Sequence, residues 1–359
     1  MRSKLIIGLL FLIGSACLPG SDSYAQVQSK RMLVGAYYFD GWTGKTFHIT
    51  KSLEQNYSVR EPVWGWITST PEIIQKQVDL AVEAKIDFFS FCWYYSDLYK
   101  KNLPEPRNHA LNVFLDSTAK KGLKFNLLVA NHTGYSIGPA DWERLTKVWI
   151  DLFKKDAYLK FKGKPLITFL SLNMLLQSFG TIENVKGALA QFRAEAVASG
   201  LKGVNIAICI PPLESEAAKA DACGFDFLTG YNYHDQTLIS GQSVSPIKAI
   251  SPKEESVWNA FLKFGKPYLP VTTLNWDPRP WDEMNKAKRT SPHFEGYSRA
   301  SVYKSIKELK AWTLKNNPSG STANIAMIYA WNEYGEGAWL TPTEQNKNGL
   351  LEAVKEALQ

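Results

Sequence analysis

The segment 325–337, IAMIYAWNEYGEG, joins an apolar run to a cluster of polar groups. Ile325–Trp331 is apolar throughout, as expected of a strand buried on both faces. Asn332, Glu333, Tyr334, Gly335, Glu336 and Gly337 follow at once. On a regular strand two residues three positions apart point to opposite faces. Gly335 relaxes that rule for Glu333 and Glu336, because a turn through it swings both carboxyls toward one space. The plainer reading is a strand-to-helix loop whose glutamates cap the next helix or sit in water.

Upstream of this segment the chain alternates. Apolar, strand-like runs fall at Leu33–Phe39, Asp87–Trp93, Phe125–Ala130, Pro165–Leu170, Val204–Ile210, Phe225–Tyr231 and Pro267–Leu274. With Ile325–Trp331 they make eight. Amphipathic helical patterns lie between them, at Glu72–Lys85, Ala110–Lys121, Trp142–Asp156, Ile182–Ser199, Ser215–Ala222, Lys253–Phe264 and Ser298–Asn316. In the first of these Ile73, Ile74, Val78, Ala81 and Val82 share one face. Pro71 opens that helix, and Gly122, Gly200, Gly224 and Gly265 close others. Near-continuous apolar strands alternating with helices predict a parallel sheet covered by helices, and eight is the number that closes a (β/α)8 TIM barrel. An open doubly wound sheet is the alternative, but no Gly-rich phosphate turn follows the first strand.

Composition agrees with one such barrel. The chain has 359 residues, 45% hydrophobic and 21% charged, enough for a large core. Twelve tryptophans exceed what packing alone requires, so some are expected to line a cavity or a surface. The net charge of +7 is spread along the chain without a Lys/Arg block, and no nucleic-acid partner is expected. The charge permits an acidic glycan without pointing to one.

The amino terminus reads as a signal peptide. Arg2 and Lys4 precede the apolar run Leu5–Ile13, which is too short to span a bilayer, and Ser23-Tyr24-Ala25 forms a small-x-small cleavage site. Residues 1–25 are therefore expected to be removed, leaving 26–359 as the catalytic domain of a secreted or periplasmic protein. Cys17 offers a second reading as a lipid anchor, opposed by Gly14 where a Leu-like residue is preferred. The remaining cysteines, Cys92, Cys209 and Cys223, lie in or near apolar runs and read as buried free thiols. No cysteine pair has zinc spacing and the five histidines are scattered, so neither metal nor cofactor is expected.

In a barrel of this kind the site lies at the carboxyl ends of the strands. Those ends carry Tyr37-Tyr38-Phe39-Asp40, Trp93-Tyr94-Tyr95, Asn131-His132, Tyr231-Asn232-Tyr233-His234, Asn275-Trp276-Asp277 and the two glutamates. Aromatic faces stack on the C–H faces of sugar rings, while amides and carboxylates take the hydroxyls. The mixture suits a carbohydrate. Two carboxyls flanking a scissile bond are the equipment of glycoside hydrolysis, so Glu333 and Glu336 are the candidate catalytic pair. Tyr38, Trp93, Asn131, His132, Tyr231, Trp276, Trp331 and Asn332 are the candidate substrate-binding residues. Each aromatic among them has barrel-mouth packing as its plainer role, His132 a structural hydrogen bond, and Asp277–Arg279 a mutual ion pair. Asp40, beside Gly41, reads equally as a turn residue. From position alone, Glu333 is expected to be hydrogen-bonded with a low pKa and Glu336 to have a raised one.

Tyr37-Tyr38, Phe225-Asp226 before Tyr231, Trp276 with Arg279-Pro280-Trp281, and above all Trp331-Asn332-Glu333-Tyr334-Gly335-Glu336-Gly337 resemble glycoside hydrolase family 99. They are equally similar to the WbsX-like proteins of polysaccharide gene clusters. The resemblance to family 99 implies a (β/α)8 barrel that cleaves α-linked mannosides or mannans with retention. It also implies that Glu333 deprotonates the sugar's own 2-hydroxyl, giving a 1,2-anhydro sugar, while Glu336 serves as acid and then base. The chain departs from the family in having Tyr334-Gly335 where Trp and His stand between the glutamates. It also has Asn131-His132 where a carboxylate follows the third strand. The WbsX likeness implies a second function, glycosyl transfer in surface-polysaccharide synthesis, against which the export signal and the missing nucleotide loop count. A barrel that binds glycan without cleaving it is a third.

Overall fold

The computed structural model describes residues 31–316 and 324–359; the expected signal peptide and Cys17 lie outside the described residues. Eight parallel strands form the core: β1 Leu33–Tyr38, β2 Phe88–Trp93, β3 Lys124–Val129, β4 Lys164–Phe169, β5 Asn205–Cys209, β6 Phe227–Thr229, β7 Val271–Thr273 and β8 Ile325–Tyr329. Neighbours pair in the order β6-β5-β4-β3-β2-β1-β8-β7, and a short strand at Lys160–Phe161 adds antiparallel to β4. The ring closes where Leu228 of β6 bridges to Tyr268, just before β7. There the Leu228 N–H donates to Pro267 O and the Leu269 N–H to Leu228 O, both at 2.9 Å. The chain is a (β/α)8 barrel. The expected β6 and β7 were longer than those formed; Pro267 and Pro270 have no N–H to give a ladder, and the seam is held by scattered bonds instead.

Helices α1 Pro71–Glu83, α2 His109–Asp116, α3 Pro139–Phe153, α4 Ile182–Ala198, α5 Glu214–Cys223, α6 Ile250–Leu262, α7 Arg299–Asn316 and α8 Gly349–Leu358 surround the ring. Helix α1 shows the local logic. The Thr70 hydroxyl accepts from the Ile73 N–H at the N-cap, Pro71 occupies the first turn, and Ile74, Gln77, Val78 and Ala81 are buried. Two helices of eight or more residues were not anticipated, α8 and Leu172–Phe179, which follows β4, nor were the short helices Lys51–Asn56, Asp97–Lys100, His234–Thr237 and Arg279–Met284.

Strand alternation sorts the aromatic residues into two layers. On β1, Tyr37 points into the barrel, where its hydroxyl donates to Gly230 O at 2.8 Å. Tyr38 points outward against Phe89 and Phe91. On β2, Phe89, Phe91 and Trp93 face the helices, with Phe91 against Phe114 of α2 and Trp93 against Trp149 of α3. Phe88 lies over Gly35, whose absent side chain makes room for the ring: a Cβ there would stand 2.2 Å from it.

Candidate active site

After Tyr329 the chain passes through Trp331 into a hairpin of Asn332–Glu333 and Ala338–Trp339, with a single 3-10 turn at Tyr334–Glu336 between them. Gly337 closes the turn at φ 76°, the left-handed region, with Asn275 Nδ2 donating to its carbonyl at 2.6 Å. Three anchors fix the turn from outside. The Asp277 N–H donates to Glu336 O at 2.6 Å. Arg60 donates to the carbonyls of Asp277 and Tyr334 at 3.0 and 2.9 Å and forms a buried ion pair with the Asp277 carboxylate. Arg279 pairs with the same carboxylate at 2.7 Å. Burial pushes Asp277 up, but the Arg279 hydrogen bond and the two guanidinium charges outweigh it and hold the carboxyl below its ordinary value. Burial also lowers Arg60 to about 10, which leaves it charged at neutral pH.

Both glutamates line one cavity of about 330 Å³ at the carboxyl end of the barrel. Glu333 accepts from the Tyr231 hydroxyl and Glu336 from the Tyr329 hydroxyl. The two phenols are themselves edge to face, with ring centroids 4.9 Å apart. Glu333 is buried and Glu336 half-buried. Burial and the charge of Glu336 push Glu333 well above the usual carboxylate range, against the pull of Tyr231. Burial raises Glu336 to about 7, with the Tyr329 hydroxyl opposing. Glu333 thus departs from the low value expected of it, because it has one donor, not several, and a negative neighbour. The pair titrates as a unit and keeps a proton at neutral pH, the state in which one carboxyl can give a proton while the other takes one.

The rest of the wall is neutral and mixes aromatic with aliphatic side chains. Phe39, Tyr94, Tyr231 and Trp281 supply ring faces, and His48 and His132 supply ring nitrogens. Desolvation, with the nearby Arg107 charge, lowers His48 to about 4; the same two causes lower His132. Both imidazoles are therefore neutral near pH 7 and can donate to or accept from hydroxyls. Arg107 stands behind this wall, over Tyr94 at 4.6 Å and Tyr135 at 4.3 Å, and pairs with Glu105 at 2.6 Å. The Cys92 thiol also reaches the cavity, 3.7 Å from the Tyr231 hydroxyl. Among the described residues no group of three or more His, Cys, Asp or Glu converges as a metal site would.

Of the ten residues expected at the site, the structure gathers Glu333, Glu336, Tyr231 and His132 around the cavity. The other six lie elsewhere, and their placement corrects the expectation. Tyr38 and Trp93 occupy the outward phase of their strands, against the helix layer. Trp331 is fully buried against Phe89 and donates from Nε1 to Gln77 Oε1 of α1 at 2.7 Å. Asn131 staples β3 to the segment after β4, accepting from Leu170 and Ser171 N–H at 2.9 and 3.0 Å. Asn332 clamps the backbone of Phe39. Trp276 stacks on His234 at 3.6 Å, beyond the cavity wall. Asp40 is a buried carboxyl, not an exposed turn residue: it accepts from the Ala110 N–H at 2.6 Å, and burial raises it to about 7.

Sequence reasoning missed Phe39, Phe47 and His48 as cavity residues, and Tyr329 as the partner of Glu336. The departure at Gly335 also has an explanation. A Cβ there would lie 1.7 Å from Cζ2 of Trp281, so the indole occupies the space that a side chain between the glutamates would need.

Residues 66–354 match the family described as Glycosyltransferase WbsX. The chain belongs to the WbsX family. No curated protein matches its sequence. Among solved structures, this WbsX-family chain is similar to the GH99 endo-alpha-mannosidase from Bacteroides thetaiotaomicron, with TM-score 0.61 and 14% identity over 90% of this chain and 96% of that one. The same enzyme in complex with BIS-TRIS-propane gives TM-score 0.58 and 16% identity over 90% and 95%. A protein described as glycoside hydrolase-like gives 0.60 and 14% over 92% and 94%. At these identities the likeness shows a shared barrel; the chemistry of the WbsX-family chain rests on its own residues.

Proposed function

We propose that this WbsX-family barrel is an exported glycoside hydrolase acting on an α-linked glycan, with Glu333 and Glu336 as its catalytic pair. The observation that carries the reading is the convergence of two carboxyls, one buried and one half-buried and each held by its own tyrosine, on one cavity whose wall includes aromatic rings and neutral imidazoles. A proton retained by the pair at neutral pH supports acid–base cleavage. The resemblance to family 99 supports a retaining reaction in which Glu333 draws the proton from the sugar's 2-hydroxyl and Glu336 protonates the leaving oxygen, then activates water. With the raised pKa of Glu333, it acts as the base in the form of the pair whose shared proton sits on Glu336. A mannan is the first substrate to try.

Glycosyl transfer from a nucleotide sugar is the second reading, favoured by the family's description. The cavity lining speaks against it: two carboxyls and no lysine or arginine would face a donor's diphosphate. Incubation of the purified protein with a panel of α-mannans and other microbial polysaccharides, and separately with nucleotide sugars plus acceptors, tests the reading. New reducing ends with retained configuration support hydrolysis; transfer from a nucleotide sugar without hydrolysis overturns it. A substrate with hydrogen in place of the 2-hydroxyl should not be cleaved, and its efficient cleavage would refute the anhydro-sugar route.

A further inference from the structure

A second compartment of about 240 Å³ adjoins the catalytic cavity, at the ends of β4, β5 and β6. Tyr231 and Leu170 line both spaces, so the two meet across the side chain that hydrogen-bonds Glu333. Its walls carry Asn173, Glu216, Asn232, His234, Asp235 and Gln236. The His234 ring is fixed there, stacked on Trp276, with Nδ1 2.6 Å from Asn232 Oδ1 and Nε2 3.2 Å from Asp235. Asn173, Asp235 and Gln236 are exposed, and each amide offers both a donor and an acceptor. Leu170 and Ile210 add apolar surface. Charge in the compartment favours uncharged ligands. Glu216 is paired with Lys219 at 2.7 Å, burial lowers the His234 pKa so that it is neutral, and Asp235 leaves a carboxylate at the rim.

Building on the hydrolase reading, we infer that this compartment is a second sugar subsite, which takes a neutral hexose unit adjacent to the one in the catalytic cavity. A hexose offers hydroxyls to the amides and a C–H face to the apolar wall, whereas a uronic acid would bring a carboxylate against Asp235. The substrate class that follows is a neutral oligo- or polysaccharide whose chain straddles Tyr231.

The test compares wild type with the Asn173→Ala/Gln236→Ala double variant, both positions being exposed and outside the catalytic cavity. Substrates are α-linked manno-, gluco- and galacto-oligosaccharides from the disaccharide to the pentasaccharide, and the matching aryl monosaccharides. Binding of the same oligosaccharides and of oligogalacturonate is measured by calorimetry on the Glu336→Gln chain. Wild type should gain kcat/KM with the second unit. The double variant should lose roughly tenfold on oligosaccharides, as expected for two hydrogen bonds, and nothing on the aryl monosaccharide. Oligogalacturonate should bind at least about tenfold more weakly than neutral chains of equal length. Turnover that ignores chain length, or a double variant impaired equally on every substrate, overturns the second subsite while leaving the hydrolase reading in place. Equal binding of oligogalacturonate overturns the neutral class. Neither binding nor turnover of any neutral oligosaccharide overturns the hydrolase reading itself, and the subsite with it.

Discussion

The Asn332 side chain holds the Phe39 peptide on both edges: Oδ1 accepts from the Phe39 N–H at 2.8 Å, and Nδ2 donates to the Phe39 carbonyl at 2.7 Å. The Trp42 indole N–H then donates to Asn332 O at 2.8 Å. Glu333 is the next residue, so its backbone is tied to the end of β1 before its side chain reaches Tyr231. Replacing Asn332 by Ala leaves two buried backbone groups on Phe39 without partners. The expected cost is about 2–5 kcal/mol in urea unfolding, with glycan cleavage falling at least about tenfold. A stability change below about 0.5 kcal/mol would show that the clamp is dispensable.

Trp281 over Gly335 supports a sharper experiment. Gly335→Ala puts a methyl group inside the indole ring and forces Trp281 off the turn. KM should rise more than kcat falls, because a wall of the cavity is displaced while both carboxyls remain. Adding Trp281→Ala should recover the stability lost in Gly335→Ala without recovering KM. Normal KM in the single variant would remove Trp281 from the substrate's surroundings.

The two phenols give distinct signatures in a pH–rate profile. Each hydroxyl lowers the pKa of the carboxyl it touches, so its removal raises that pKa. Tyr329→Phe should move the alkaline limb of kcat/KM upward, because Glu336 keeps its proton longer. Tyr231→Phe should move the acid limb upward, because Glu333 ionises later. Identical shifts in both variants would mean that the pair has no division of labour.

Glu254 on α6 tests the electrostatics away from the cavity. It is buried, accepts from Thr272 Oγ1 at 2.9 Å and from the Thr273 N–H at 2.5 Å, and desolvation raises it from 4.5 to about 8. A raised carboxyl pKa favours folding while the group is protonated, and that contribution is lost as pH climbs from the ordinary value through the raised one. Tm should therefore fall between about pH 5 and pH 8, and Glu254→Gln, which mimics the protonated acid, should flatten the fall. A parallel Tm curve for the variant would assign the alkaline loss to other groups.

The eight strands were legible because both faces of a parallel barrel strand are buried, which leaves long apolar runs. The facing of their side chains was not. Tyr37 and Tyr38 are both aromatic, as are Phe88 and Phe89, and a run without alternation carries no phase. Choosing Tyr38, Trp93 and Trp331 for the cavity put three helix-facing residues there, while Tyr37 and Cys92 held the inward positions. Phe47 and His48 come from a loop and Trp281 from the short helix Arg279–Met284, and their return to the cavity depends on contacts distant in sequence, such as the edge-to-face packing of His48 and Trp281. The Glu333/Glu336 pair was readable because the glycine between them announced a turn; of the phenols that hold them, Tyr231 was legible at its strand end and Tyr329 was hidden among the core aromatics.

Release of reducing ends from α-mannan and from the other polysaccharides of the panel, measured for wild type, Glu333→Gln and Glu336→Gln at equal fold stability, tests the central claim most directly. The account predicts turnover by wild type and a loss of about 10²-fold or more in kcat in each variant, with Glu336→Gln spared on activated aryl glycosides whose departure needs little protonation. Turnover that survives both substitutions, or glycosyl transfer from a nucleotide sugar by a chain that hydrolyses nothing, would contradict it.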